Sequence, residues 1–559
     1  MVSFLSLRCF SRRPGPIVAN VLRLSAAVTV VALLPKVRAA TDAARVATTA
    51  AAPENRSAAT IQPLGSLFIR EYRVRGAHLL PQIEIEEAVY PFLGPKRGAE
   101  DVEQARLALE KAYQARGYQT VSVQVPPQEP THGIVYLQVT ETSVGRLRVR
   151  GSRYYSLREI KKAAPSLAEG NVPNFNDVTQ DIVGLNQLPD RRVTPALRPG
   201  VVPGTVDIDL NVEDKLPLHG SAELNNRYSA DTTPLRYNAA VSYNNLWQLN
   251  HSIGGSLQIS PQNINDVQVY SGYYVARFAD APWLTLVAQG VKQNSNVSTL
   301  GSTAVAGRGD VEGLRATISL PSQGDFSHAF TFGFDRKHFD QNVTVGGTPI
   351  VTPITYYPFS ANYSATWANK SAITNASLDL VFATREIGSD TAEFDFNRFK
   401  ARGNFLYLRS DLSHQHELPG GFQVFGKIQA QVADQPLVTN EQFAGGGLTS
   451  VRGYLEAEVL GDDGFVGTVE LRSPSLLKNT ARNVNEWRFY LFADGGCLTL
   501  LQPLPEQEAN FALASIGFGT RFQLREHFNG SIDTALPLIS QTSTDALDLR
   551  VTFRLWADF

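Results

Sequence analysis

Leu547-Asp548-Leu549-Arg550-Val551-Thr552-Phe553-Arg554-Leu555-Trp556-Ala557-Asp558-Phe559 is the stretch whose pattern decides the fold. Leu547, Leu549, Val551, Phe553, Leu555, Ala557 and Phe559 alternate with Asp548, Arg550, Thr552, Arg554, Trp556 and Asp558. A period of two sets one row on each face of a strand, one against an apolar phase and one against a polar interior. Upstream segments repeat the pattern. In 465–472, Val469 and Leu471 share a face, with Thr468, Glu470 and Arg472 on the other. In 487–496, Trp487, Phe489, Leu491 and Ala493 oppose Arg488, Tyr490, Phe492 and Asp494. Beyond residue 39 no apolar run reaches the roughly 20 residues of a membrane helix. A membrane protein without such helices has to be a closed barrel, because lipid cannot satisfy an open strand edge. From 215 to 559 there is room for about sixteen strands of roughly ten residues each. Early ones are expected at 221–228, 237–244 and 252–259.

Between those strands lies Gly445-Gly446-Gly447-Leu448-Thr449-Ser450-Val451-Arg452-Gly453-Tyr454. Glu470 and Asp494 fall on the polar faces of the two strands that follow. The expected arrangement is a loop at about 443–463 that folds inward and clips Arg452 to the wall, since a guanidinium meets carboxylates in a forked geometry.

Val451-Arg452-Gly453-Tyr454 followed by Phe492-Ala493-Asp494-Gly495-Gly496 resembles the signature of the two-partner (type Vb) secretion transporters, the haemolysin secretion/activation family of outer-membrane pores. The resemblance extends over 66–559. It implies that Arg452 is the loop tip, that Asp494 holds it from the wall, and that Glu470 lies on the strand between. It also implies that Phe559 is the residue read by the barrel-assembly machinery. Some members of the family carry a plug helix near the amino terminus, and 43–52 forms at most a weak helix with no apolar face.

At 559 residues the chain exceeds one domain. Residues 1–39 hold six basic residues (Arg8, Arg12, Arg13, Arg23, Lys36, Arg38) and no acidic one. With the apolar run 24–34 and Val37-Arg38-Ala39, they read as a secretory signal. Its removal takes the formal charge from −2 to −2 − 6 = −8, which gives no reason to expect nucleic acid. Of the two cysteines, Cys9 lies in the signal and Cys497 is read as a packing residue. Residues 40–65, rich in Ala, Thr and Pro, read as a flexible linker.

Arg73-Val74-Arg75-Gly76 recurs as Arg148-Val149-Arg150-Gly151. Helices are expected at 83–92 and 101–116 after the first copy, and at 157–164 and 177–188 after the second. Strand pairs follow at 120–125 and 134–140, then at 192–197 and 205–212. Two β-α-α-β-β units, 66–142 and 143–214, resemble paired polypeptide-transport-associated (POTRA) domains. The run 186–205 is similar to the second such domain of the secretion transporters. A sheet edge accepts an extended chain by strand addition. The expected client groove is the edge around Arg192, Val193 and Leu197, beside the helix from Asp177 to Leu188.

No catalytic constellation is legible, and no cofactor or metal is expected. His414 and His416 share a strand face without further ligands, and Gly445 to Gly447 lack the Lys and helix of a phosphate loop. The expectation is a non-enzymatic pore in the outer membrane of a Gram-negative cell, with its POTRA domains in the periplasm. Its partners would be a haemolysin- or adhesin-like exoprotein, outer-membrane lipid and the barrel-assembly machinery. A barrel-assembly factor of the same superfamily is the alternative, and a passive porin a more distant one.

Overall fold

The computed structural model describes residues 67–559 apart from 130, 187, 299–304, 346–347, 386 and 478–484. The expected signal, linker and plug helix lie outside the described residues. The described chain divides into two compact units, one ending at Leu216 and one running from Pro217 to Phe559.

The first unit holds two copies of one topology. Strand Glu71–Arg75 runs parallel to Ile134–Thr140, which pairs antiparallel with Ser122–Gln124. Ser143–Arg150 likewise runs parallel to Thr205–Asp214, itself antiparallel to Arg191–Pro199. Helices Gln82–Val89 and Ala99–Ala115 cover the first sheet, and Leu157–Lys162 and Phe175–Leu185 the second. The repeated glycine has a structural cause. Gly76 and Gly151 hold φ of +77° and +86°, and a Cβ on either would run into the carbonyl oxygen of Val139 or Val212. Only glycine meets both demands. A carboxylate secures each turn. Glu141 Oε1 accepts the amides of His78 and Leu79 at 2.7 and 2.9 Å. Asp214 Oδ2 accepts those of Arg153 and Tyr154 at 2.8 and 2.9 Å.

The second helix of the second copy starts at Phe175, earlier than the apolar pattern suggests. Asn174 caps it, accepting the Asn176 amide at 3.0 Å. It stops at Leu185 because Asn186 turns its side chain to the neighbouring strand. The two copies meet where the Phe175 amide donates to Gly117 O at 2.9 Å and Asn174 Nδ2 to Arg116 O at 3.0 Å. A short extra ribbon, Leu67–Ile69 with Gly94–Arg97, was not legible in the pattern.

The second unit is a closed antiparallel barrel, with Leu218–Asn225 pairing both Arg236–Leu246 and the final strand Arg550–Asp558. Its wall has sixteen strand positions. Thr348–Tyr356 and Phe359–Ala368 share one of them, since both pair with Phe326–Val345 and part at Tyr357 and Pro358. The alternation holds as expected: Val469 and Leu491 are 60 % and 63 % exposed on the outer face, whereas Glu470 and Asp494 are 4 % and 5 % exposed inside. The final strand begins at Arg550 rather than Leu547. Leu547 holds φ of +66° and its amide donates to Pro537 O at 2.8 Å, so 547–549 belong to the preceding turn. Phe559 follows the strand yet completes the closure, exchanging backbone hydrogen bonds of 2.8 and 3.0 Å with Gly220.

A loop clasped inside the barrel

The loop enters the lumen as a narrow ribbon, Phe443–Gly445 paired antiparallel with Val459–Gly461. At Gly446 and Gly447 φ is +98° and +99°, which bends the ribbon into the tip. A Cβ on Gly447 would strike the Glu456 carboxylate. Gly453 at φ +93° turns the chain again, and it separates the two side chains that fix the tip.

Arg452 is the first of these. Its Nε and Nη2 form a fork on Asp494, at 2.7 Å to Oδ2 and 2.8 Å to Oδ1, and its backbone amide donates to the same carboxylate at 3.0 Å. Nη1 donates to Glu470 Oε1 at 2.7 Å and lies 3.3 Å from Asp533 Oδ1. The guanidinium carbon sits 3.5 Å above the Phe492 ring, so the motif phenylalanine supports the cation from below. Glu470 is shared, its other oxygen receiving Arg472 at 2.7 and 2.9 Å. Tyr490 donates its hydroxyl to Asp533 at 2.8 Å. Every member of this network is at least nine-tenths buried. Ion pairs so sequestered add little when intact, but loss of one partner strands the others at about 3–5 kcal/mol.

Tyr454 is the second. Its hydroxyl donates to Ile539 O at 2.7 Å and lies 3.1 Å from Ala514 O, tying the tip to the wall beyond Asp533. Behind the tip Glu456 receives Arg227 Nε at 2.7 Å, and Glu458 accepts the Ser543 amide at 2.9 Å. Gly496 leaves room for the preceding strand, Asp463–Arg472, as a Cβ there would lie 2.7 Å from Phe465 O. Gly495 has more space, with Leu513 O at 3.6 Å.

The structure therefore brings together Val451, Arg452, Gly453, Tyr454, Glu470, Phe492 and Asp494. Asp533, Tyr490, Arg227 and Glu456 were missed. Asp533 sits on a strand whose inward row was readable by alternation, but its distance from Arg452 depends on barrel register, which one sequence does not display.

The proposed client groove is different from what the pattern implied. Leu188 and Val193, 4 % and 1 % exposed, are core residues and offer no surface; Arg192, Asp177 and Leu197 are exposed. The outward backbone groups of Val193 are already spent on Asn186, at 2.6 Å for its amide and 3.0 Å for its carbonyl. Alternation puts Pro195, Leu197 and Pro199 in the same outward set, and the two prolines bring no N–H. Leu197 alone offers an outward amide. An edge blunted by proline and a side-chain cap resists a long added strand. Phe559 is 64 % exposed, stacked on His527 with ring centroids 5.9 Å apart. His414 and His416 stack on each other. Among the described residues there is no group of three His, Cys, Asp or Glu side chains placed to hold a metal.

A sixteen-strand lipid-facing barrel, preceded in sequence by sheet-and-helix repeats and entered by its own clasped loop, defines an outer-membrane polypeptide-transport pore. The profile of the haemolysin secretion/activation protein ShlB/FhaC/HecB family matches 204–522, and that of the ShlB-type POTRA domain matches 67–142. The chain belongs to the haemolysin secretion/activation family, and it is an outer-membrane transporter of the two-partner secretion type with its POTRA region in the periplasm. It is 23 % identical to the outer membrane transporter CdiB of Dickeya dadantii over 77 % of this chain and 76 % of that one. It is 21 % identical to the heme/hemopexin transporter protein HuxB of Haemophilus influenzae over 81 % and 80 %. The solved structure of CdiB from Escherichia coli superposes with a TM-score of 0.65 at 20 % identity, covering 91 % of this chain and 93 % of that one.

Proposed function

We propose that the periplasmic repeats take hold of an unfolded haemolysin- or adhesin-like exoprotein, and that the barrel passes it outward while the Arg452 loop rearranges. The observation that carries this reading is the buried clasp. A loop held in the lumen by one guanidinium among three carboxylates occupies the path at rest, yet its bonds are exchangeable polar ones. Passage by this route needs neither a catalytic step nor a cofactor. Direction comes from folding outside, because a chain that buries apolar surface beyond the membrane does not slide back. Of the client-facing candidates, Asp177, Arg192 and Leu197 keep their exposed positions. Outer-membrane lipid meets the outward apolar rows, and Phe559 is the residue offered to the barrel-assembly machinery.

A fold likeness alone does not separate export from barrel assembly. BamA from Haemophilus ducreyi, lacking POTRA domains 1–3, superposes with a TM-score of 0.53 at 13 % identity, covering 88 % of this chain and all of that one. The family match favours export. The test is Arg452→Ala. The exoprotein is expected to fall at least about tenfold in the medium, the ratio that a loss of about 1.4 kcal/mol produces, with the barrel still folded in outer-membrane fractions. Undiminished export removes the loop from the mechanism. Identifying the protein that vanishes from the medium when this gene is deleted supplies the client.

A further inference from the structure

The Arg452 clasp accounts for the loop's tip and leaves its entry unexplained. The turn Thr439–Glu441 leads into the descending ribbon, and Glu441 there is 1 % exposed. Its carboxylate receives the Tyr356 hydroxyl at 2.7 Å, the Tyr407 hydroxyl at 2.8 Å and Lys337 Nζ at 2.5 Å. These donors stand on Phe326–Val345, Thr348–Tyr356 and Leu406–Glu417, which are wall positions seven, eight and ten counted from Leu218–Asn225. The acceptors of Arg452 stand on Asp463–Arg472, Glu486–Thr499 and Phe528–Pro537, positions twelve, thirteen and fifteen. No wall strand serves both.

The polarity is reversed as well. At the tip the loop presents a cation to acids, whereas at the entry it presents an anion to one cation and two phenols. Neither end fits the other's socket, since Arg452 would face Lys337 and Glu441 would face three carboxylates. A carboxylate this deeply buried is tolerated only with its charge met, and one ammonium with two hydroxyls does so. The stems of the loop are joined too. Asp462 Oδ1, at the loop's exit, accepts the Leu437 amide at 2.9 Å and Gln442 Nε2 at 3.1 Å. Its Oδ2 accepts the Leu501 amide at 2.7 Å.

We propose that Glu441 is a second clasp, a positioning residue of opposite charge to Arg452, and that the loop opens by swinging its tip about this fixed entry. Release of Arg452, followed by the weaker ties of Tyr454 to Ile539 and of Glu456 to Arg227, then frees residues 446–456 while the ribbon stays inside the barrel, and the glycines at 446 and 447 supply the bend. This rests on the reading that the loop gates export.

The experiment uses the full-length protein in outer membranes, with Cys497→Ala and Ser450→Cys as the background. Ser450 is 8 % exposed and sits beside the tip arginine. A membrane-impermeant maleimide added from outside reports how far the tip has left its seat. Arg452→Ala is expected to raise the labelling rate about tenfold, and adding Glu441→Gln about tenfold again, the scale of losing a hydrogen bond to a charged group. Adding Tyr356→Phe with Tyr407→Phe instead keeps both rings, removes two donors and gives the same further rise. Adding Glu441→Asp, which retains the charge, gives a smaller one. If Arg452→Ala leaves labelling and export unchanged, the gating reading fails and this proposal with it. If Arg452→Ala raises labelling but neither second change adds to it, gating stands and the second clasp is wrong.

Discussion

At Arg452 the fork on Asp494 spends two donors, Nη1 serves Glu470 and Asp533, and the ring of Phe492 lies beneath. A lysine delivers one point charge and no fork, so Arg452→Lys is expected to keep the attraction and lose the geometry. Export by Arg452→Lys should fall nearer to that of Arg452→Ala than to the unaltered protein, measured as exoprotein in the medium; near-normal export would show that charge alone suffices. Pairing is tested by a cycle of Arg452→Ala and Asp494→Asn on resistance to unfolding in urea. Contact at 2.7 Å predicts a coupling of about 1–3 kcal/mol, and additive effects would refute direct pairing. Arg452, Glu470 and Asp494 were legible because a short motif and a period-two alternation are both local. Asp533 and Glu441 were not. Their partners lie 81 and as many as 104 residues away in sequence, and only closure of the wall sets those distances.

Among the elements, the repeated Arg-Val-Arg-Gly was visible as a repeat before its reason was. It marks the end of the first strand in each periplasmic sheet, where the chain must take a left-handed turn against a carbonyl. Gly151→Ala is expected to destabilise residues 143–214 by about 1–3 kcal/mol. Gly204→Ala, at φ +80° with open space around it, costs the backbone strain without the collision. Hydrogen exchange of the full-length protein, comparing amides of Thr205–Asp214, separates the two; equal effects would show that the collision is relieved cheaply. The same turn carries a pH signature. Burial opposes the charge of Asp214, but the amides of Tyr154 and Arg153 and the Ser152 hydroxyl outweigh it and hold the carboxyl below its ordinary range. A depressed folded value makes its stabilisation complete above the unfolded value and lost as pH falls through the folded one. Asp214→Asn should therefore flatten the acid limb of this domain's exchange profile. The expected client edge read less well, because a β-propensity pattern does not reveal which backbone groups point outward or that Asn186 already occupies them.

On the scale of the whole molecule, period-two patterning gave the barrel and the repeat gave the periplasmic region, since each is written in neighbouring residues. Closure was out of reach. Asn226 Nδ2 reaches Val551 O across 325 residues, and Phe559 meets Gly220. The division of labour follows from the same two units. The barrel owns the clasp, with every acceptor of Arg452 inside 463–537, so a chain lacking 143–214 retains all the residues that seat its loop. If the second periplasmic copy is what grips the exoprotein, that deletion should abolish client capture in a pull-down while Ser450→Cys labelling in the Cys497→Ala background stays at its resting rate. Capture that survives would move the grip to the first copy, whose outer edge strand is the short Ser122–Gln124. A labelling rate that rises with the deletion would mean that the periplasmic region also holds the loop shut, which the local bonds of Arg452 and Glu441 give no reason to expect.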